Sequence, residues 1–276
     1  TPVSNSNSLS FDGQDDYVFI GTPNGMTPSD DHTFMFWVQN NTAPCNYGSI
    51  IGGYDSPASN NNHIHYGFRG CESGSPSNSN CPNGNCMGMD FYNNNLFTPS
   101  YFHTNWTHWS LSYNSVTLER VIYKNGQVYA QDISLSAYTG NLNFVIGANK
   151  YQNSPVSDFF SGKLDNISVW KTTLSEQDIQ GYMNCPPNGT ENNIVALYMF
   201  DEGSGNTVTD LTSNGNNGTI NGASWSTQTP NQYCNNCTAS DSVVVNVGSP
   251  QDATFSYAES SYCTDGTDPN PTTNHA

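Results

Sequence analysis

Residues 159–183, FFSGKLDNISVWKTTLSEQDIQGYM, constrain the fold more than any other stretch, because a strand runs there directly into a helix. Leu164, Asn166, Ser168 and Trp170 alternate with Asp165, Ile167, Val169 and Lys171, the period of two that sets one face of a strand against the other. Ser175 then stands where a helix N-cap belongs, with Asp178 three residues on as its capping-box partner. Ile179, Tyr182 and Met183 recur at helical spacing. This is the one convincing helix in the chain, and all other periodic segments read as strands.

Those segments are numerous. Leu9, Phe11, Tyr17 and Phe19 alternate around a Gly-Gln-Asp-Asp break, which predicts a strand, a bend and a second strand. Residues 33–38 (TFMFWV) form a compact aromatic strand, 106–113 alternate cleanly, and Asn125-Gly126 between two alternating runs predicts a two-residue hairpin. Residues 144–147 are another short strand, and 194–200 (IVALYMF) read as a strand buried on both faces. Residues 208–225 give weak strands around Asn214-Gly215 and Asn221-Gly222. Residues 40–95 are Gly/Ser/Asn-rich, with short strand-like pieces at 49–51 and 63–68, and need staples to be ordered. Cys81 and Cys86 are near enough to close a small loop, and Cys45 with Cys71 would tie the flanks, although four cysteines allow three connectivities.

Three motifs in order give a family resemblance. Leu9-Ser10-Phe11-Asp12-Gly13 with Asp16-Tyr17-Val18 opens it. Trp106-Thr107-His108-Trp109 with Val121-Ile122-Tyr123-Lys124-Asn125-Gly126 forms the centre, and Phe160-x-Gly162-x-Leu164-Asp165 running to Trp170, then Leu174-Ser175, closes it. Together these resemble the laminin-G-like jelly rolls, the concanavalin A-like sandwiches of secreted proteins, over roughly residues 8–226. The resemblance implies an all-β jelly-roll sandwich with one short helix. A further block, Tyr198-x-Phe200-Asp201-Glu202-Gly203 through Trp225, precedes the opening strand in many relatives and here follows the helix, so the last strands should lie beside the first. The domain plan expected is a lead-in at 1–8, a jelly roll at 9–233, and a linker with a short β tail at 234–276 that resembles the start of an immunoglobulin- or PKD-like repeat of Bacteroidetes-type surface adhesins. That tail is too short for a sandwich of about 100 residues, so the chain reads as a piece of a longer protein or as one whose tail pairs with a neighbour.

Composition bounds the function. The chain has 276 residues, 6 Lys and Arg against 23 Asp and Glu, and a formal net charge of −17. Phosphate binding needs Lys and Arg, which argues against a nucleic-acid partner. No stretch approaches the ~20 apolar residues that span a bilayer. Eight cysteines without zinc-ligand spacing point to an oxidising, extracellular or cell-surface setting. No signal peptide is visible, as expected of a processed or excised sequence.

Candidate sites follow. The resemblance implies a structural calcium ion held by the backbone oxygen of Gly13 and the carboxylate of Asp165, with Asp12 adjacent; Asp12 and Asp16 would serve equally well as turn caps. Asp201, Glu202 and Asp210 lie in a Gly-rich turn and read as a solvated turn. His63 and His65 would share a strand face and, without a third ligand nearby, read as surface histidines. Trp37, Trp170 and Trp225 lie in motif strands and read as core, which leaves the loop tyrosines Tyr54, Tyr92 and Tyr101 as the better ligand contacts. Enzyme signatures are not found: there is no Gly-x-Ser-x-Gly, His-Glu-x-x-His or phosphate loop, and none of the paired carboxylates that glycanases of this fold carry on one strand. The reading is a non-catalytic binding or adhesion module for a glycan or a cell-surface protein. The alternative is a fibre subunit that self-assembles by strand pairing through its tail, and a polysaccharide-degrading enzyme ranks below both.

Overall fold

The computed structural model describes residues 5–41, 48–56, 59–69, 81, 86–99 and 104–234. The expectations for Tyr101, for a Cys45–Cys71 pairing and for the tail lie outside those residues. In chain order the strands are β1 (Ser8–Asp12), β2 (Tyr17–Gly21), β3 (His32–Asn40), β4 (Gly48–Ser56), β5 (His65–Arg69), β6 (Cys86–Asp90), β7 (Asn95–Phe97), β8 (Thr107–Tyr113) and β9 (Glu119–Lys124). They continue as β10 (Gln127–Ile133), β11 (Phe144–Ile146), β12 (Lys150–Tyr151) and β13 (Ser161–Trp170), then the helix α1 (Glu176–Asn184), and β14 (Ile194–Tyr198), β15 (Thr207–Val208), β16 (Gly218–Asn221) and β17 (Ser224–Ser226).

Among the described residues these strands make two sheets. The eight-stranded sheet has the order β10-β9-β8-β3-β13-β1-β17, with β14 also on β13; the nine-stranded sheet runs β15-β16-β2-β11-β4-β5-β6-β7, with β12 on β4. The chain is an all-β sandwich with one short helix. The expected closure is present: β17 pairs with β1 and β16 with β2, so the last strands lie beside the first in both sheets.

Between the sheets lies one aromatic-rich core that includes Phe34, Phe36, Tyr66, Phe68, Trp109, Phe144, Leu164 and Ile167. The sandwich tryptophan is Trp109, whereas Trp37 and Trp225 are only half-buried. The register explains Trp37: it stands opposite His108 and Asp165, on the outer face of the eight-stranded sheet. Trp170 is buried outside the sandwich, in a second cluster with Met35, Ile179 and Leu197 beneath α1, and it stacks on Tyr182 at 4.8 Å. The helix starts as its sequence requires: the Ser175 hydroxyl accepts from the Asp178 amide, and the Asp178 carboxylate accepts from the Ser175 amide. Burying its apolar face on Trp170 stabilises the helix by roughly 1.5–3 kcal/mol per large side chain.

In β13 the predicted alternation breaks. The register slips between Asp165 and Ser168, and Asn166 is left-handed (φ 49). This bulge lets Leu164, Ile167 and Val169 all enter the core while Asp165 and Asn166 sit side by side outside it. All four described cysteines at 81, 86, 185 and 234 are paired, as Cys81–Cys86 and Cys185–Cys234. The second bridge ties the end of α1 to the end of the described chain.

Candidate functional site

The outer face of the nine-stranded sheet carries an unusual concentration of polar and aromatic side chains. Along β5 and β6, Tyr66, Phe68, Met87 and Met89 point into the core, so His65, Arg69 and Asp90 point the other way. The register sets Gly52, His65, Asp90 and Asn95 in one row across four strands. A strap formed by residues 147–158 crosses this row. Asn149 and Ser157 exchange backbone hydrogen bonds, and β12 pairs in parallel with β4. Gly52 is what permits the crossing, because a side chain there would strike the Ala148 carbonyl. A side chain at Gly53 would meet the His63 ring at 2.6 Å.

Asn149, a fully buried residue of the strap itself, is the hub of the polar contacts beneath it. Its Oδ1 lies 2.6 Å from His63 Nε2, and its Nδ2 lies 3.2 Å from His65 Nδ1 and donates to Asp158 Oδ2 at 3.3 Å. His63 and His65 are therefore not surface histidines. They share a face as expected, but the strap buries them, and that burial pushes both imidazoles below their ordinary range, so they are neutral at pH 7. Nothing in the local sequence of 63–65 announces this, because the covering strap lies some 85 residues further on.

Aromatic surface adjoins the network. Tyr151 stacks on His63, with centroids 4.4 Å apart, and meets Tyr92 edge-on at 5.9 Å. Burial, with Asp158 nearby, pushes the Tyr151 phenol up to about 12. Tyr54 lies at the same edge under Lys150, whose Nζ is 4.4 Å from the ring centroid and 2.6 Å from Asp55 Oδ1. Arg69 pairs with Asp90 at 3.3 Å, and burial raises the Asp90 carboxyl above the usual range. Asp55, Tyr92, Asn93 and Asp158 all have left-handed backbones (φ 53–63), a cost that clusters at functional sites. Two of the three sequence-predicted tyrosines, Tyr54 and Tyr92, thus meet one surface. Tyr151, Lys150 and the Arg69–Asp90 pair complete it and were not singled out from sequence.

The predicted metal ligands are not brought together. Asp12 stands opposite Ser161 and Leu9 opposite Leu164, so Asp165 lies four residues, about 13 Å, along β13 from the end where Asp12 and Gly13 sit. At that end Asp12, Asp15 and Asp16 form the acidic group that gathers among the described residues, with Asp12 and Asp15 exposed. Asp12 accepts from the Gln14 amide and Asp16 from the Asp12 amide, which is turn capping.

Asp165 sits in a cradle of its own. Its side chain is fully buried and accepts from Asn5 Nδ2 (2.9 Å) and the Asn166 amide (2.8 Å). Asn166 Nδ2 donates to Gln232 Oε1, while Asn5 Oδ1 and Asn166 Oδ1 are buried with no partner among the described residues. Burial raises the Asp165 carboxyl well above its ordinary range. Asp165, Asn5, Asn166 and Gln232 carry one carboxylate and three amide oxygens of the hard kind that Ca²⁺ takes, while Asn5 and Asn166 here turn their Nδ2 groups toward Asp165 and Gln232. The turn acids, by contrast, are committed to backbone: Asp201 accepts from Ser6 and Asn7, Glu202 from Thr209, and buried Asp210 from Leu197, Thr212 and Asn216.

Comparison with known proteins then places the chain. The family model of the concanavalin A-like lectin/glucanases superfamily matches residues 12–180. The chain belongs to this superfamily. No curated protein matches it by sequence. Among solved structures, it is similar to a Bacteroides ovatus protein provisionally described as carbohydrate-binding, with 19% identity and a TM-score of 0.61 over 84% of this chain. That match spans 62% of the Bacteroides protein, so the chain corresponds to less than two thirds of its length. Weaker likenesses are a SAP-like pentraxin of Limulus polyphemus (14% identity, TM-score 0.46, 78% of this chain and 94% of that one) and the CBM40 module of a Ruminococcus gnavus sialidase bound to sialyllactose (16%, 0.40, 59% and 94%).

Proposed function

We propose that this superfamily member is a non-catalytic, extracellular glycan-binding module and that the outer face of the nine-stranded sheet is its binding surface. The carrying observation is the union there of Tyr54, Tyr92 and Tyr151 with a buried, pre-ordered polar network around Asn149. Sugars combine apolar C–H faces with hydroxyls, so a site for them needs aromatic surface beside fixed donors and acceptors. Preorganisation lowers the ordering cost of binding. The carbohydrate-binding description of the Bacteroides ovatus protein supports the reading by analogy of fold. Asp90 is engaged by Arg69 and Asp158 by Asn149, a positioning role rather than that of a free acid and base. The two disulfides fit an oxidising compartment, and no helix among the described residues is long and apolar enough to cross a membrane. Adhesion to a glycan-bearing surface is the biological role this implies. A glycan-array screen of the intact chain tests the reading, with Tyr92→Ala/Tyr151→Ala as control; binding that survives the double substitution contradicts the assigned surface.

A structural calcium ion at the Asp165 cradle is proposed with it. The ion would neutralise Asp165 and tie Asn5, the β13 bulge and Gln232 together. The orphaned oxygens of Asn5 and Asn166 support this.

A further inference from the structure

The charges on the binding face point to the kind of glycan it accepts. All six Lys and Arg residues of the chain lie among the described residues. Four of them, Arg120, Lys124, Lys163 and Lys171, are on or directly after strands of the eight-stranded sheet. Arg120 donates to both carboxylate oxygens of Asp132 through Nε and Nη2 and to the Met89 and Asn94 carbonyls through Nη1, and Lys124 lies over Tyr129. Only Arg69 and Lys150 serve the outer face of the nine-stranded sheet, and each already holds a carboxylate, Asp90 at 3.3 Å and Asp55 at 2.6 Å. Asp158 adds a third acid. The face therefore sets two compensated cations against three carboxylates, within a chain of net charge −17.

Resting on the glycan-binding reading, we infer that the ligand is an uncharged oligosaccharide, not one carrying sialic acid, uronic acid or sulfate. An acidic sugar would have to compete with Asp90 or Asp55 for a cation that already holds a carboxylate, against the field of the whole molecule. A neutral sugar keeps both pairs intact. Its hydroxyls donate to carboxylates and accept from guanidinium and ammonium groups at once, which suits a compensated pair.

The test is titration calorimetry of the intact chain at about 20 mM salt, where any attraction for an anion is least screened. The neutral probes are gluco-, xylo-, manno-, galacto- and arabino-oligosaccharides. The acidic probes are sialyllactose, oligogalacturonate and a sulfated heparin fragment. At least one neutral series is expected to bind at least tenfold more tightly than every acidic probe, with little change at 200 mM salt. An acidic probe that equals or exceeds the best neutral one overturns the inference while leaving glycan binding intact. No binding to either set overturns the glycan reading itself, and the inference with it.

Discussion

The rings of His63 and Tyr151 stack with centroids 4.4 Å apart and planes at 21°, so the half-buried Tyr151 rests on a histidine that is itself locked to Asn149 at 2.6 Å. The orientation of the aromatic surface is thereby set from beneath. His63→Ala should leave Asn149 Oδ1 with the Lys150 amide as its one remaining partner among the described residues and Tyr151 without its backing. Losing one side of a buried hydrogen bond costs about 1–3 kcal/mol, readable as a lowered urea midpoint at constant m-value. An unchanged midpoint contradicts the account of this network.

Acidification should destabilise the protein. Burial lowers His32 to about 4 and His108 to about 3, and lowers His63 and His65 as well. Because the unfolded chain takes up these protons near pH 6.5 and the folded chain does not, stability is lost as pH falls below about 6.5. Each such histidine contributes up to ~1.4 kcal/mol per pH unit until its folded value is reached. Asp90 and Asp165, raised by burial, act in the opposite direction and offset part of this. Calorimetry should show Tm falling between pH 6.5 and 4.5, and a flat Tm over that range would contradict the four buried neutral imidazoles.

Calcium should matter most at high pH. A raised Asp165 means the folded state prefers the protonated carboxyl, so without metal the charged form costs stability as pH rises. Calcium at 100 times its dissociation constant adds about 2.7 kcal/mol, and its effect should grow from pH 5 to pH 8. Asp165→Asn should remove the calcium response and, in chelator, raise the stability of the metal-free chain. A response that persists in that variant places the ion elsewhere, for example at Asp12, Asp15 and Asp16.

The Cys185–Cys234 bridge closes a loop of 49 residues in sequence separation. Loop-closure entropy assigns such a crosslink about 4 kcal/mol. The double Cys185→Ser/Cys234→Ser variant should therefore melt well below the parent. Equal melting temperatures would mean that the end of the described chain adds nothing to the fold.

Much of the scaffold was legible because it depends on local periodicity and local caps: the hairpin at Asn125-Gly126, the Ser175–Asp178 capping box, and strands such as β3 and β8. The closure of β16 and β17 on the opening strands was legible from the displaced block at 198–225. The site was legible only in part, because it is built by contacts distant in sequence. Tyr54 and Tyr92 were visible as candidate loop aromatics, although Tyr54 lies within β4, but Tyr151 acquires its role from a strap that folds over β4, and His63 and His65 acquire theirs from Asn149. The bulge at Asn166 was hidden because a single left-handed residue reverses the alternation on which the reading of β13 relied. The separation of Asp165 from Gly13 has a different cause, the β1–β13 register that sets Leu9 opposite Leu164 and Asp12 opposite Ser161.

On the proposed reading, the outer face of the nine-stranded sheet binds a glycan through Tyr151 and its neighbours. The most direct measurement is calorimetric titration of the best array ligand into the parent chain and into Tyr151→Ala, with thermal melts of both. Truncating a binding anchor costs on the order of 1–2 kcal/mol or more, so Tyr151→Ala should lose at least about fivefold to tenfold in affinity while its fold still melts cooperatively. Equal affinity in the folded variant would contradict it.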